Sequence, residues 1–161
     1  MTNEFPQVLT IAGSDSDGSA GMQADLHTFF IRKTYGMSVL VAAVAGNSYG
    51  IHAAETLPLA FIDQQFEALA DDFKIKASKT GMLSDAALIG TVVKSYQTYD
   101  FGPLVVDPVI TTKHGAQLLE NEAFKALKQQ LLPLATVATP NFFEAQLLTG
   151  RTIQSETDQA A

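Results

Sequence analysis

The chain has no cysteine. Disulfides, thiol catalysis and thiolate metal sites are therefore excluded, and the lack is in keeping with a cytoplasmic setting. Basic residues are few: 10 Lys and Arg stand against 17 Asp and Glu, a net charge of −7. Such a field opposes a nucleic-acid or anionic-membrane partner, so a phosphate ligand would need local donors. No run of 18 apolar residues occurs; the longest, Met37 to Gly46, is broken by Ser38 and suits a buried strand. No basic, apolar leader precedes the first apolar run, so no secretory signal is expected. His27, His52 and His114 match no metal-ligand spacing. The glycines at 13, 18 and 21 form neither the dinucleotide fingerprint nor a P-loop, which would end in Gly-Lys-Ser/Thr.

What remains is a composition of 47% hydrophobic and 17% charged residues over 161 positions, enough for one core. Apolar runs and helical periodicities alternate. Strands are expected at about 7–12, 37–45, 76–80, 104–106 and 135–139. Helices are expected at about 20–33, with Met22, Leu26, Phe29 and Phe30 on one face, and from Pro58, with Phe61, Ile62, Phe66 and Leu69 inward. A third, capped by Ser84, turns Leu88, Val92 and Tyr96 inward; a fourth spans about 121–131; a fifth opens at 140–144 and closes at Gly150. Ser155 with Asp158 reads as the cap of a sixth. Five βα units predict a three-layer α/β/α fold with a mostly parallel central sheet. The sequence stops inside that sixth helix, so residues 1–161 are expected to be the N-terminal portion of a single domain, truncated on its C-terminal side.

Ligands of open α/β sheets bind outside the carboxyl ends of the strands. Those ends carry Gly13, Ser14 and Asp15; Gly46, Asn47 and Ser48; Thr80, Gly81 and Met82; Asp107, Pro108 and Val109; and Thr139, Pro140, Asn141 and Glu144. The glycine-rich stretch 12–25 leads from strand to helix and could bring backbone N–H groups to a phosphate, as could Lys79 and Lys113 by charge. Asp107 beside an anionic ligand calls for Mg²⁺, bound directly or through water. Asn141 and Glu144 share the first turn of a helix, where capping alone would also explain them. Lys79 reads either as a sheet-edge device or as a phosphate contact. The 111–116 loop could fold over a ligand or be plain surface.

Ala12-Gly-Ser-Asp15, Gly18-Ser-Ala-Gly-Met-Gln-Ala-Asp25-Leu, Tyr35-Gly-Met, Lys79-Thr-Gly-Met-Leu83, Val105-Val-Asp-Pro-Val109 and Thr139-Pro-Asn-Phe-Phe-Glu144 follow one another in order. Together they resemble the vitamin kinases of the ribokinase superfamily, in the branch of hydroxymethylpyrimidine (phosphate) kinase and the pyridoxine/pyridoxal kinases. The likeness runs from about Val8 to Gly150. It implies transfer of the γ-phosphoryl group of ATP, with Mg²⁺, to a hydroxymethyl group on a heteroaromatic vitamin ring. Gly13, Ala20, Met82 and Val109 would line the ring pocket, with Asp25 contacting its polar substituents and Gly46 and Asn47 beside it. Asp107, Asn141, Glu144 and Lys113 would serve the triphosphate side, Asp107 and Glu144 toward the metal. A homodimer is expected for the full-length protein, as in relatives. The hydroxymethylpyrimidine kinases typically carry Gln-Asn where this chain has Gly46-Asn47, which points to pyridoxal, pyridoxine or pyridoxamine as substrate. Hydroxymethylpyrimidine of thiamine biosynthesis is the alternative, and a non-catalytic vitamin- or nucleotide-binding fragment a further one. The family's Gly-x-Gly-Asp-type motif, which supplies the base, has no counterpart here and is expected downstream of Ala161. The glycine-rich stretch then becomes the floor of the acceptor pocket.

Overall fold

The computed structural model describes residues 5–111, 119–154 and 158. Its elements are β1 (Gln7–Ala12), α1 (Gly21–Ile31), β2 (Tyr35–Leu40), β3 (Ala42–Asn47), β4 (Gly50–Thr56), α2 (Leu59–Asp72), β5 (Ala77–Thr80), α3 (Ala86–Thr98), β6 (Leu104–Val106), α4 (Asn121–Ala126), β7 (Val137–Ala138) and α5 (Phe142–Thr149). After α4 the helix widens into a π-helical turn, Leu127–Leu131, so the expected span of 121–131 is filled by two helical forms. Five strands form one sheet in the order β2-β1-β5-β6-β7, and every pairing is parallel. The expected mostly parallel α/β sheet is thus present.

Strand parity decides what each face carries. Leu9 and Ile11 of β1 are fully buried, as are Leu104 and Val106 of β6. With Ile62 and Phe66 of α2 and Leu88, Ile89 and Val92 of α3 they build the core. Thr10 and Lys79 lie opposite one another in register on adjacent strands, where α1 brings Asp25 to them. Leu26 and Phe29 of α1 approach β2 at Gly36, where a Cβ would stand 3.0 Å from either ring or methyl carbon. Phe30, expected on that inward face, is 82% exposed.

Three expectations are corrected. The apolar stretch 37–45 is not one strand: β2 ends at Leu40, and β3 turns away to pair antiparallel with β4, which no periodicity announced. Lys79 is no edge device, because β5 is the middle strand of the sheet. The cap of α3 is Asp85, whose carboxylate accepts the Leu88 N–H; Ser84 donates to that carboxylate instead. Helix α1 begins at Gly21 without a side-chain cap. Ser155 lies outside the described residues.

Phe66 is fully buried and its ring meets Phe101 at 5.8 Å, linking α2 to the chain entering β6. Phe66→Ala is expected to cost about 3–5 kcal/mol of unfolding free energy in denaturant titration. A loss below about 1 kcal/mol would show that the core collapses around the gap.

Candidate active site

The turn between β1 and α1 is wound by its own side chains. The Asp15 carboxylate accepts the Ala20 N–H at 2.9 Å, Asp17 accepts the Ser19 N–H at 2.8 Å, and Met22 N–H donates to the Gly13 carbonyl at 2.9 Å. Hydrogen bonds from Ser19 hold the Asp17 carboxyl below its ordinary value. Gly21 has φ +58°, and a Cβ there would stand 2.6 Å from the Gly13 oxygen, so no larger residue closes this turn. Across from it, Ser14 and Ser16 bond to β3. Between turn and hairpin lies a cavity of about 370 Å³. Of the seven residues expected around a ring ligand, Gly13, Ala20, Gly46, Asn47 and Met82 line it. Asp25 and Val109 do not.

Asp25 is instead held in an ionic cluster. Thr10 Oγ1 donates to its Oδ2 at 2.6 Å, and Lys79 Nζ donates to both oxygens at 2.9 and 3.1 Å. Lys79 also pairs with Asp107 at 3.6 Å; the side chains of Asp25, Lys79 and Asp107 are 16, 24 and 35% exposed. Burial pushes the Asp107 carboxyl up from its ordinary value, Lys79 pulls it down, and the Glu144 and Asp25 carboxylates add to the rise. Burial, rather than an excess of carboxylate charge, is thus what lifts Asp107.

At the ends of β6 and β7 the backbone is tight. Val109 has φ +47°, a costly conformation for a β-branched residue. The next two N–H groups, of Ile110 and Thr111, both donate to Glu144 Oε1, at 2.8 and 3.3 Å. Glu144 Oε2 accepts the Asn141 N–H at 2.9 Å, and Asn141 Oδ1 accepts the Glu144 N–H at 3.0 Å, a complete capping box on α5. The capping reading of this pair is therefore realised, with Glu144 only 2% exposed. Its carboxylate is also what fastens the 109–111 segment. Lys113 lies outside the described residues.

Thr10 and Ser16 escaped the sequence reading, which had Ser14 at the end of the first strand. The only signal was a hydroxyl inside the apolar run 8–12 and serines alternating with aspartates in the turn. Among the described residues no cluster of three or more His, Asp or Glu could hold a metal by itself. The donor set still fits a Mg²⁺ ion, which retains waters and takes few carboxylates: Asp107 is a partly open, hard oxygen donor whose charged form is poorly solvated.

With a raised carboxyl, the charged form of Asp107 lowers stability above its folded pKa, and the cost vanishes where both folded and unfolded chains are protonated. Asp107→Asn is therefore expected to raise the Tm by a few °C near neutral pH, with the gain fading as the pH falls toward 4. Lys79 keeps Asp25 as partner in that variant. A lower Tm at neutral pH would mean that the Lys79–Asp107 attraction outweighs burial.

Comparison with known proteins locates this arrangement. The family profile described as phosphomethylpyrimidine kinase matches residues 15–161. A hydroxymethylpyrimidine/phosphomethylpyrimidine kinase of Streptomyces coelicolor is 49% identical over 153 residues, covering 95% of this chain and 56% of that protein. The crystal structure of a phosphomethylpyrimidine kinase from Clostridium difficile superposes with a TM-score of 0.92 at 45% identity, over 96% of this chain and 67% of that one. A pyridoxal kinase from Staphylococcus aureus in complex with ADP gives 0.85 at 38% identity, over 97% and 57%. The chain spans about half the length of the curated relatives it matches.

Proposed function

The chain belongs to the phosphomethylpyrimidine kinase family, and from that premise we propose that it forms the acceptor-binding part of an ATP-dependent kinase of thiamine biosynthesis. The acceptor would be hydroxymethylpyrimidine or its monophosphate, phosphorylated at the hydroxymethyl oxygen or at the phosphate already there. The carrying observation is the cavity between the glycine-rich turn and the β3–β4 hairpin, sized for one heteroaromatic ring and lined largely by backbone and small side chains. The substrate expectation drawn from Gly46 alone is thereby displaced. Likeness over the whole chain favours the pyrimidine kinases, at 49% identity against 38% for the pyridoxal kinase.

Pyridoxal keeps one observation in its favour. A Cβ on Gly46 would stand 3.1 Å from the Gly50 oxygen, so the glutamine that would read an aminopyrimidine edge fits only if this hairpin gives by a few tenths of an ångström. Asn47 and Ser48, which also line the cavity, are the polar groups left to read a ring.

Phosphoryl transfer asks for positioning and charge neutralisation more than covalent chemistry. In this reading the ring rests on the glycine-rich floor, with its hydroxymethyl group directed along the sheet edge toward Asp107. Mg²⁺, when bound, would neutralise the triphosphate. Asp107 would hold it, directly or through water, and Lys79 would keep Asp107 aligned. Glu144, whose oxygens are already taken by backbone N–H groups, would act by fixing the 109–111 segment and by its charge. Asn141, bonded to the Thr111 carbonyl at 3.3 Å, would brace the same segment at the triphosphate side. The catalytic base is expected beyond Ala161. A cytoplasmic homodimer belongs to the same proposal; no helix among the described residues is long and apolar enough to cross a membrane.

Steady-state kinetics on the full-length protein would test this. The kcat/KM for hydroxymethylpyrimidine is expected to exceed that for pyridoxal by more than about tenfold, a difference that polar recognition readily supplies. The reverse order would restore the pyridoxal reading, and ring binding without ADP release would support a non-catalytic module. Asp107→Asn is expected to lower kcat by about a hundredfold or more while the acceptor KM stays nearly constant. An unchanged kcat would remove Asp107 from the triphosphate side.

A further inference from the structure

We propose that Ser16 is a positioning residue for the acceptor: its hydroxyl clasps the Gly46 peptide and sets the height of the hairpin over the ring cavity. The proposal rests on the reading of that cavity as the acceptor pocket. The hairpin needs such a device. Strand β4 is exposed along its whole length, and β3 and β4 form a sheet of their own. A two-stranded hairpin is marginally stable alone.

The outer edge of β3 is covered by the glycine-rich turn, which acts as a third strand. Ser14 N–H donates to the Ala42 carbonyl at 2.8 Å, and Val44 N–H donates to Ser14 Oγ at 3.3 Å. At the last rung Gly46 N–H donates to Ser16 Oγ at 2.8 Å, while Ser16 Oγ–H donates to the Gly46 carbonyl at 2.6 Å. Residues 42, 44 and 46 alternate, as the outward groups of one strand must. A serine hydroxyl can donate and accept at once, so one side chain does the work of a peptide unit. The register of the hairpin also shifts between Ala45 and Gly46, so this rung sits where the strand bends toward the cavity. Among the described residues, the remaining hydrogen bonds from the hairpin to the body lie at its base: Val41 N–H to the Ala12 carbonyl and Thr56 Oγ1 with Ser84 Oγ. Ser16 alone holds the tip, and the tip supplies Gly46, Asn47, Ser48, Gly50 and Ile51 to the cavity wall.

Because Ser16 is exposed, its loss leaves the Gly46 peptide to water at little cost in folding. The loss falls on the order of the pocket roof. Ser16→Ala is expected to raise the acceptor KM about tenfold, the worth of one to two net hydrogen bonds, with kcat and the ATP KM within about twofold. Ser16→Thr keeps the hydroxyl and is expected to restore the acceptor KM. Hydrogen exchange of the Gly46 and Ile51 amides is expected to quicken in Ser16→Ala and not in Ser16→Thr. An unchanged acceptor KM, a threonine variant that behaves like alanine, or unaltered exchange at these amides would each overturn the proposal. Should the wild-type protein phosphorylate neither hydroxymethylpyrimidine nor pyridoxal, the functional reading fails separately, and exchange at the two amides still decides whether the clasp exists.

Discussion

The carboxyl edge of the sheet is organised by one ammonium group. Lys79 sits on the middle strand, where a side chain would ordinarily be apolar, and it reaches Asp25 on α1 and Asp107 after β6. A partly buried lysine survives there only because both neighbours are carboxylates, and each carboxylate survives only because of the lysine. The three members are not equivalent, because Asp107 can be lost while Lys79 keeps Asp25, whereas both carboxylates depend on Lys79. Removing Lys79 would leave two anions facing Glu144 across the same edge, an arrangement far costlier than the weak attraction of an exposed pair. Its geometric effect is to tie the first helix, the central strand and the β6 loop to a common point.

Around that rigid point the two ends of the edge are built differently. On the cavity side the chain uses serine hydroxyls and turn carboxylates to stitch a loop to a hairpin, with exposed and replaceable bonds. On the Asp107 side it uses a buried carboxylate, Glu144, to hold Val109 at a positive φ. Strain of that kind persists only where neighbouring bonds over-determine it. On the proposed function, a soft wall on the acceptor side and a stiff one on the phosphate side would suit a reaction in which one face must admit a ring and the other must hold charge in place.

Much of this was legible in the residues. Short apolar runs marked every strand of the parallel sheet and the carboxyl ends of all but β2, because burial on both faces leaves a continuous apolar signature. The β3–β4 hairpin was not legible: Ala42–Asn47 reads as the continuation of an apolar strand, and β4 is exposed throughout and lacks the alternation of a half-buried one. The partners of Lys79 depend on strand order, which no local pattern encodes. The Asn141–Glu144 spacing served two readings because a capping carboxylate and a ligand-side carboxylate occupy the same place on a helix.

Gly46 shows why a single position is a weak lever on substrate choice. The loss of a side-chain amide there removes one contact, and by size alone that would be decisive if the pocket were otherwise unchanged. The pocket is not unchanged, since an added Cβ at this position would stand 3.1 Å from the Gly50 oxygen and Ser16 takes both sides of the peptide. Absence of a side chain at one position and presence of a hydroxyl at another are thus one structural feature. On the proposed function, recognition would pass from a side-chain amide to groups that the hairpin presents to the cavity, Asn47 and Ser48 among them. A pocket rebuilt in this way can retain the substrate of its family while lacking the residue by which that substrate is usually read, and so likeness over the whole chain outweighs the one departure.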